Sequence, residues 1–524
     1  MAEDLFQTAA LRRRVLDAWA ASPARFREDA NAEEDLALGG YRDRLVVELA
    51  QNASDAAARA GVPGRLRLTL TEDTLIAANT GARLDAAGVE SLSTLRASAK
   101  RDDAAREAER DGTGRDAAPA ADGPPVGRFG VGFAAVLAVT DEPAVVGRSG
   151  GVRWSLAEAR EMAAELPSLA DELRRREGHV PLLRLPLPAE GSAPDGYDTA
   201  VVLPLRDPAA RDLTYRLLTA VDDGLLLALP GLAEVTVETA DGVRTLARRE
   251  EGPYTVIGDN RWRTVTHSGV ADPALLADRP LEERERPHWT ITWAVPVDAA
   301  GAPVRPATTP HVHAPTPTDE PLGLPALLIA SLPLEPTRRR AAPGPLTDFL
   351  LERAADAYTE LLREWAPPGP GVVDLVPGPL GAGELDSALR ASLLRRLPET
   401  PFLPSAARTE DDEPYRLRPR EAEIAEGAGA ETVAVLADLF PHLLPAGLER
   451  RIELRTLDVG RVPLGELIDR LAGVERDPDW WRALYDSLAG VDPDQLTGLP
   501  VPLADGRTTI GPRHVLLPLA GDPT

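Results

Sequence analysis

The sequence predicts an α+β protein: a mixed sheet covered by helices at the start of the chain, an α/β middle region, and a mainly helical remainder. Three observations carry that prediction. Residues 42–60 hold an amphipathic helical repeat, followed at once by two short segments of period-two character, Arg65-Leu-Arg-Leu-Thr-Leu-Thr71 and Thr74-Leu-Ile-Ala-Ala78. Residues 233–300 have strand-and-turn texture, as in Val235-Thr-Val-Glu-Thr239 and Trp289-Thr-Ile-Thr-Trp-Ala-Val295. Further on, helical runs at 345–365, 382–397, 430–445 and 463–488 are separated by joins rich in Pro and Gly. The domains expected from this texture are 1–205, 206–345 and 346–524.

Composition narrows the function classes. The net charge is −25 and the sequence pI about 4.8, with the acid spread along the chain. A nucleic-acid or anionic-membrane binder would present a basic face, so neither partner is expected. The chain has no cysteine, which excludes thiol catalysis and cysteine metal sites. It shows no basic-then-apolar leader and no apolar run of the ~18 residues a membrane span needs, so a cytoplasmic protein is expected. Lys100 is the sole lysine among abundant Arg, Ala, Gly and Pro, a usage that suggests a GC-rich bacterial genome. It follows Ser98-Ala99 and precedes Arg101, so it fits neither a Walker A loop nor the strand lysine of a kinase.

Taken in order, residues 5–20 form a helix with Leu11, Val15 and Trp19 on one side, and an acidic connection follows to Gly39-Gly40. The helix at 42–60 has two faces. Leu45, Leu49 and Ala53, with Val46 and Ala50, can pack on a sheet, whereas Glu48, Asn52 and Asp55, spaced i, i+4, i+7, share a polar side. That side either binds something polar or is an exposed helix face. Gly61-Val-Pro-Gly64 stops the helix, and the second strand ends at Asn79-Thr80-Gly81. Residues 97–125 are charged, then rich in Ala, Gly and Pro, and read as a linker or a moving lid, their position favouring a lid. In Gly127-Arg-Phe-Gly130-Val-Gly132-Phe133 the glycines allow close backbone approach, and a helix starting at Phe133 aims free N–H groups at an anion. Strands are expected at 144–147, 152–155, 182–185 and 199–205, an amphipathic helix at 156–176, and helix again at 208–229. A Pro-rich passage at 302–325 leads to an apolar run at 326–334 and then Thr337-Arg338-Arg339-Arg340. His311 and His313 can share a strand face, with no clear third metal ligand. Strand-like segments near the end, at 499–506 and 515–519, leave open a continuation into further domains.

The run Glu48-x-x-x-Asn52-x-x-Asp55-Ala56, then Asn79-Thr80-Gly81, then Gly127-x-Phe129-Gly130-Val131-Gly132-Phe133 resembles the Bergerat nucleotide site of the GHKL ATPases. It is most similar to that of the ninety-kilodalton heat-shock chaperones and their sacsin-type relatives, over roughly residues 1–205. The resemblance implies a two-layer α/β sandwich of Bergerat type that binds ATP and Mg2+. In it Asn52 coordinates the magnesium, Glu48 orients and deprotonates the attacking water, and Arg128, Phe129, Gly130, Val131, Gly132 and Phe133 hold phosphates. Asp55, Asn79 and Gly81 complete the nucleotide-binding set, with Lys100 reaching a phosphate oxygen from the start of the lid. Thr199 either hydrogen-bonds near the base or is a strand-surface threonine. The family has Asp where Asn79 stands and a second glycine where Arg83 stands; a carboxamide accepts an amino hydrogen without the charge-assisted strength of a carboxylate, so weaker nucleotide binding is expected. Among Arg338, Arg339 and Arg340, one is expected to reach the terminal phosphate, the alternative being a solvated basic turn.

The function these readings imply is a slow, chaperone-like ATPase that couples lid closure to a protein client or partner. Nucleotide-dependent homodimers are a family expectation. The alternative is a non-hydrolysing nucleotide-binding scaffold or signalling module, favoured by Asn79 and Arg83 and disfavoured by Glu48. None of the seven histidines lies in a phosphoacceptor context, which argues against a histidine kinase, and the acidic charge argues against mismatch-repair or topoisomerase roles.

Overall fold

The computed structural model describes residues 4–38, 42–93, 132–306, 310–314, 316–335, 337, 339–366, 368–409, 414–503 and 505–515. It is a mixed α/β structure that divides into two compact units. The first comprises residues 1–262 together with 313–318 and 332–342; the second comprises 263–312, 319–331 and 343–524.

The first unit is built on a sheet of strands β1 (Gly64–Leu70), β2 (Thr74–Asn79), β3 (Ala144–Gly147), β4 (Gly150–Arg153), β5 (Leu187–Ala189), β6 (Thr199–Pro204), β7 (Leu232–Thr239), β8 (Gly242–Glu251) and β9 (Tyr254–Ile257). They lie in the order β9-β8-β7-β1-β2-β6-β3-β4-β5. The sheet is mixed because β1 runs parallel to β7 and antiparallel to β2. Along β1, Leu66, Leu68 and Leu70 are buried while Arg65 and Arg67 are exposed, the alternation a sheet with one covered face imposes. Helix α3 (Leu45–Ala60) covers that region, packing on β1 and β7. It stops at Gly61, whose φ of +61° places it in the left-handed region where glycine is unstrained. There the Gly61 and Val62 N–H groups donate to the carbonyls of Ala58 and Ala57.

Two helices precede α3, not one helix and a connection. α1 (Thr8–Ala21) buries Leu11 and Trp19, and the acidic stretch expected as a link is α2 (Pro23–Leu38). Its buried side chains include Phe26, Asp29 and Glu33, at helical spacing, and two of the three are charged, so the apolar period is faint in the sequence. Phe26 packs edge-on against Trp19 at 5.1 Å between centroids. Asp29 accepts from Trp19 Nε1 at 2.9 Å and pairs with Arg184 at 2.8 Å. Glu33 accepts from the backbone N–H groups of Leu182 and Leu183. Those bonds correct the strand expected at 182–185: the segment is a 3-10 turn, Leu182–Arg184, whose N–H groups go to a carboxylate instead of a neighbouring strand. The helix expected over 156–176 is likewise broken. α5 (Leu156–Ala164), which follows α4 (Ala86–Leu92), is capped by Ser155 and ends before Pro167, and α6 (Ala170–Arg175) resumes beyond it.

Burial pushes the Glu33 carboxyl up to about 7, against the lowering effect of the two N–H donors and Arg184, with Asp29 adding to the rise. The folded state therefore holds a proton that the unfolded chain releases at an ordinary carboxylate pKa. Stability from this group is fully present below that ordinary value and falls as the pH rises to about 7. The loss amounts to about 3 kcal/mol. Urea unfolding of wild type and Glu33→Gln across this window should show wild type losing stability relative to the variant by that order; a constant difference between the two would refute it.

The helix expected at 208–229 is two, α7 (Pro208–Thr219) and α8 (Asp223–Ala228), capped by Asp207 and Asp222 respectively. In the second unit His288–Val297 pairs antiparallel with Leu327–Ala330, and Pro345–Arg363 packs on the former, with Trp293 Nε1 donating to the Ala354 carbonyl at 2.8 Å. The part beyond 346 is less purely helical than expected. Besides the helices Glu384–Arg396, Ala430–Ala437, Leu464–Asp469 and Pro478–Ser487 it carries three small ladders: Leu403–Arg408 with Pro414–Leu417, Glu423–Glu426 with Gly460–Pro463, and Pro500–Pro502 with Thr508–Ile510. No helix among the described residues is long and apolar enough to cross a membrane.

Candidate nucleotide site

Helix α3 is buried nearly all round in its middle, polar residues included. Glu48 is 6% exposed and Asp55 2%, with Gln51 and Ser54 also buried, while Asn52 on the same side is exposed. The polar stripe is therefore graded: two carboxylates lie inside and one carboxamide is open to a ligand. Buried carboxylates are costly unless they are matched by partners or used.

Gly132, the last residue of the glycine motif before Phe133, lies against Glu48. A Cβ at position 132 would overlap Glu48 Oε2 and lie 3.0 Å from its Cδ. Only a residue without a side chain lets the backbone approach the carboxylate this closely. The segment that follows is a 3-10 helix, Gly132–Ala138, tighter than the α-helix expected there. It is anchored by Phe133, which packs on the buried Trp154 at 5.4 Å between centroids. Its far end is held by Arg206, which donates to the carbonyls of Leu137 and Thr140 and to Asp141. Arg128, Phe129, Gly130, Val131 and Lys100 lie outside the described residues.

The other wall is the end of β2. Register pairs Asn79 with Thr199 of β6, so both sit at the same edge. Gly81 has a φ of +139°, and a Cβ there would come within 2.5 to 2.6 Å of the Ala56 backbone; the Ala82 N–H donates to the Ala56 carbonyl at 2.8 Å. This glycine brings the strand end onto α3 one residue from Asp55. Asp198, the residue before Thr199, fixes the turn: its Oδ2 accepts the Gly81 N–H at 3.0 Å and its Oδ1 pairs with Arg148 at 2.8 Å. A lone Asp before a strand carries no local signal of that role.

The arginine run is also partly placed. Leu334 and Ala341 bridge as an antiparallel pair, and the Glu335 N–H donates to the Arg340 carbonyl at 3.0 Å. Arg339 lies 4.0 Å from Asp43, just ahead of α3, and this segment belongs to the first unit. Arg338 lies outside the described residues. Arg44, 9% exposed, donates to Thr316 Oγ1 at 2.8 Å and to the Pro317 carbonyl at 3.0 Å.

Among the described residues no three His, Asp or Glu side chains are grouped to hold a metal by themselves. Mg2+ bound with a nucleotide asks the protein for only one or two oxygens and takes the rest from phosphates and water. The exposed Asn52 carboxamide, one turn along α3 from Glu48, fits that demand. A comparison with protein-family models found no match to this chain, and one with curated proteins found none either.

Proposed function

We propose that the first unit is a Bergerat-type nucleotide-binding domain and that the protein is a slow, magnesium-dependent, chaperone-like ATPase. The observation that carries the reading is the approach of the Gly132 backbone to the Glu48 carboxylate, which brings together two motifs far apart in the chain. Glu48 orients water and takes its proton, the glycine backbone takes up phosphate, and Asn52 holds the metal. Bound Mg2+ neutralises charge on the phosphates. Asp55, Asn79, Gly81 and Thr199 form the base end, and Arg339 is the described arginine poised on the α3 side. The partner is a protein client or a second copy of the chain, in the bacterial cytoplasm, and neither nucleic acid nor membrane is its target.

A second reading, a nucleotide-binding module that does not hydrolyse, is favoured by the neutral Asn79. Calorimetry with ATP and Mg2+, beside phosphate release, separates the two. Binding with turnover supports the ATPase; binding without turnover supports the module; no binding removes both. The Gly132 approach gives a sharper check. Gly132→Ala drives the methyl into Glu48 and should slow turnover about tenfold or more, with little change in the unfolding midpoint, because the obstruction is the end of a movable side chain. If Gly132→Ala turns over like wild type, the contact does not matter to the chemistry.

A further inference from the structure

Glu48 stands in the first turn of α3, and that turn has no side-chain cap. Position 44, directly ahead of Leu45, is where a Ser, Thr, Asp or Asn would ordinarily accept one of the free N–H groups of a helix start; here it is an arginine that makes no capping bond. A cation at that end also opposes the helix dipole. Arg44 is nonetheless 9% exposed, and its guanidinium is spent on a segment far along the chain: Nη1 donates to Thr316 Oγ1 at 2.8 Å and Nη2 to the Pro317 carbonyl at 3.0 Å. Two nitrogens of one planar group, each bonded, fix its orientation as well as its place. Thr316 is itself buried, and its carbonyl accepts the Ala314 N–H at 2.8 Å, so the hydroxyl is offered from a held backbone. Burying an arginine on neutral acceptors is a costly way to stabilise a helix start that a short polar side chain would cap in place. Four residues separate Arg44 from Glu48, which on a helix puts the anchored residue and the carboxylate on one face. The carboxylate end has little latitude of its own, because it lies against the Gly132 backbone.

We propose, resting on the ATPase reading above, that Arg44 and Thr316 are positioning residues for the hydrolysis step. The Thr316 hydroxyl holds the Arg44 fork, the fork holds the first turn of α3, and that turn sets Glu48 at the angle its proton transfer requires. In the same reading nucleotide is held by Asn52, the glycine backbone and the base end, so the pair acts on turnover and leaves affinity alone. A small misplacement of a group that must meet a reacting atom lowers the rate of the chemical step steeply, whereas binding made elsewhere is untouched.

The test is phosphate release by the whole chain against ATP concentration in excess magnesium, beside calorimetric binding of ATP, for wild type, Thr316→Val, Thr316→Ser and Arg44→Lys. Thr316→Val keeps the shape of the side chain and removes the acceptor, while the Pro317 bond remains. Its kcat should fall about tenfold or more, with KM and Kd within about twofold of wild type. Thr316→Ser, which returns the hydroxyl, should restore kcat to within about twofold. Arg44→Lys, one ammonium in place of the fork, should be slow in the same way as Thr316→Val, and it serves where the valine variant does not fold. Calorimetric stoichiometry counts the folded sites, so each kcat is taken per site. If Thr316→Val turns over like wild type, or loses affinity in step with turnover, the proposal is overturned while the ATPase reading stands. A Thr316→Ser variant as slow as Thr316→Val overturns it too, since the hydroxyl would then not be the group at work. Wild type that binds ATP without releasing phosphate, or fails to bind it, removes the ATPase reading, and the proposal with it.

Discussion

Glu48→Ala should still bind ATP within a few-fold of wild type while phosphate release falls by roughly a hundredfold to ten-thousandfold, the range that a positioned general base contributes. The carboxylate is almost wholly buried and lies against the Gly132 backbone, and in the proposed site phosphate is taken up by main-chain groups, so removing the side chain should leave phosphate binding in place. Single-turnover phosphate release beside calorimetry reads both quantities. If binding is lost together with turnover, Glu48 is holding the site together and is not its base.

Gly81→Ala should be strongly disruptive to the first unit. Two independent costs act at once. The backbone conformation, with φ at +139°, is one that L-residues rarely adopt, and the added Cβ would press on the C, O and following N of Ala56, which belong to a helix backbone and cannot rotate aside. A loss of about 3 kcal/mol or more follows, with α3 displaced from the end of β2. Hydrogen exchange at the α3 amides should accelerate and nucleotide binding should fail, whereas the ladders of the second unit should exchange as in wild type. Unaltered protection across α3 would show that the strand end moves freely and that this approach is not needed.

The strong periodic signals were legible in the sequence. β1 alternates because one of its faces is covered, and α3 announces itself by its apolar stripe and its glycine stop. What was hidden depends on partners far along the chain. α2 passed for a connection since its buried positions include Asp29 and Glu33, which pair with Arg184 and with the Leu182 and Leu183 amides. The same bonds made Leu182–Arg184 a turn where four residues of apolar character suggested a strand. In the candidate site, Glu48 and Asp55 stood out by their helical spacing, whereas Asn79 and Gly81 entered only through the family resemblance. Asp198, Arg148 and Arg206 were not, because each acts by reaching a group that only the folded sheet brings near. The exposure of Asn52 beside two buried carboxylates was likewise invisible in a spacing that treats all three alike.

The segments that close the first unit, 313–318 and 332–342, have a consequence for how this protein can be divided. Arg44 at the head of α3 finds its acceptors on Thr316 and Pro317, and Asp43 beside it faces Arg339. A contiguous excision ending at 205, or even at 262, discards all three. The unit is encoded discontinuously, so no single cut releases it whole: recombinant fragments, inserted tags and domain exchanges have to carry the chain through residue 342 and tolerate the intervening stretches of the other unit.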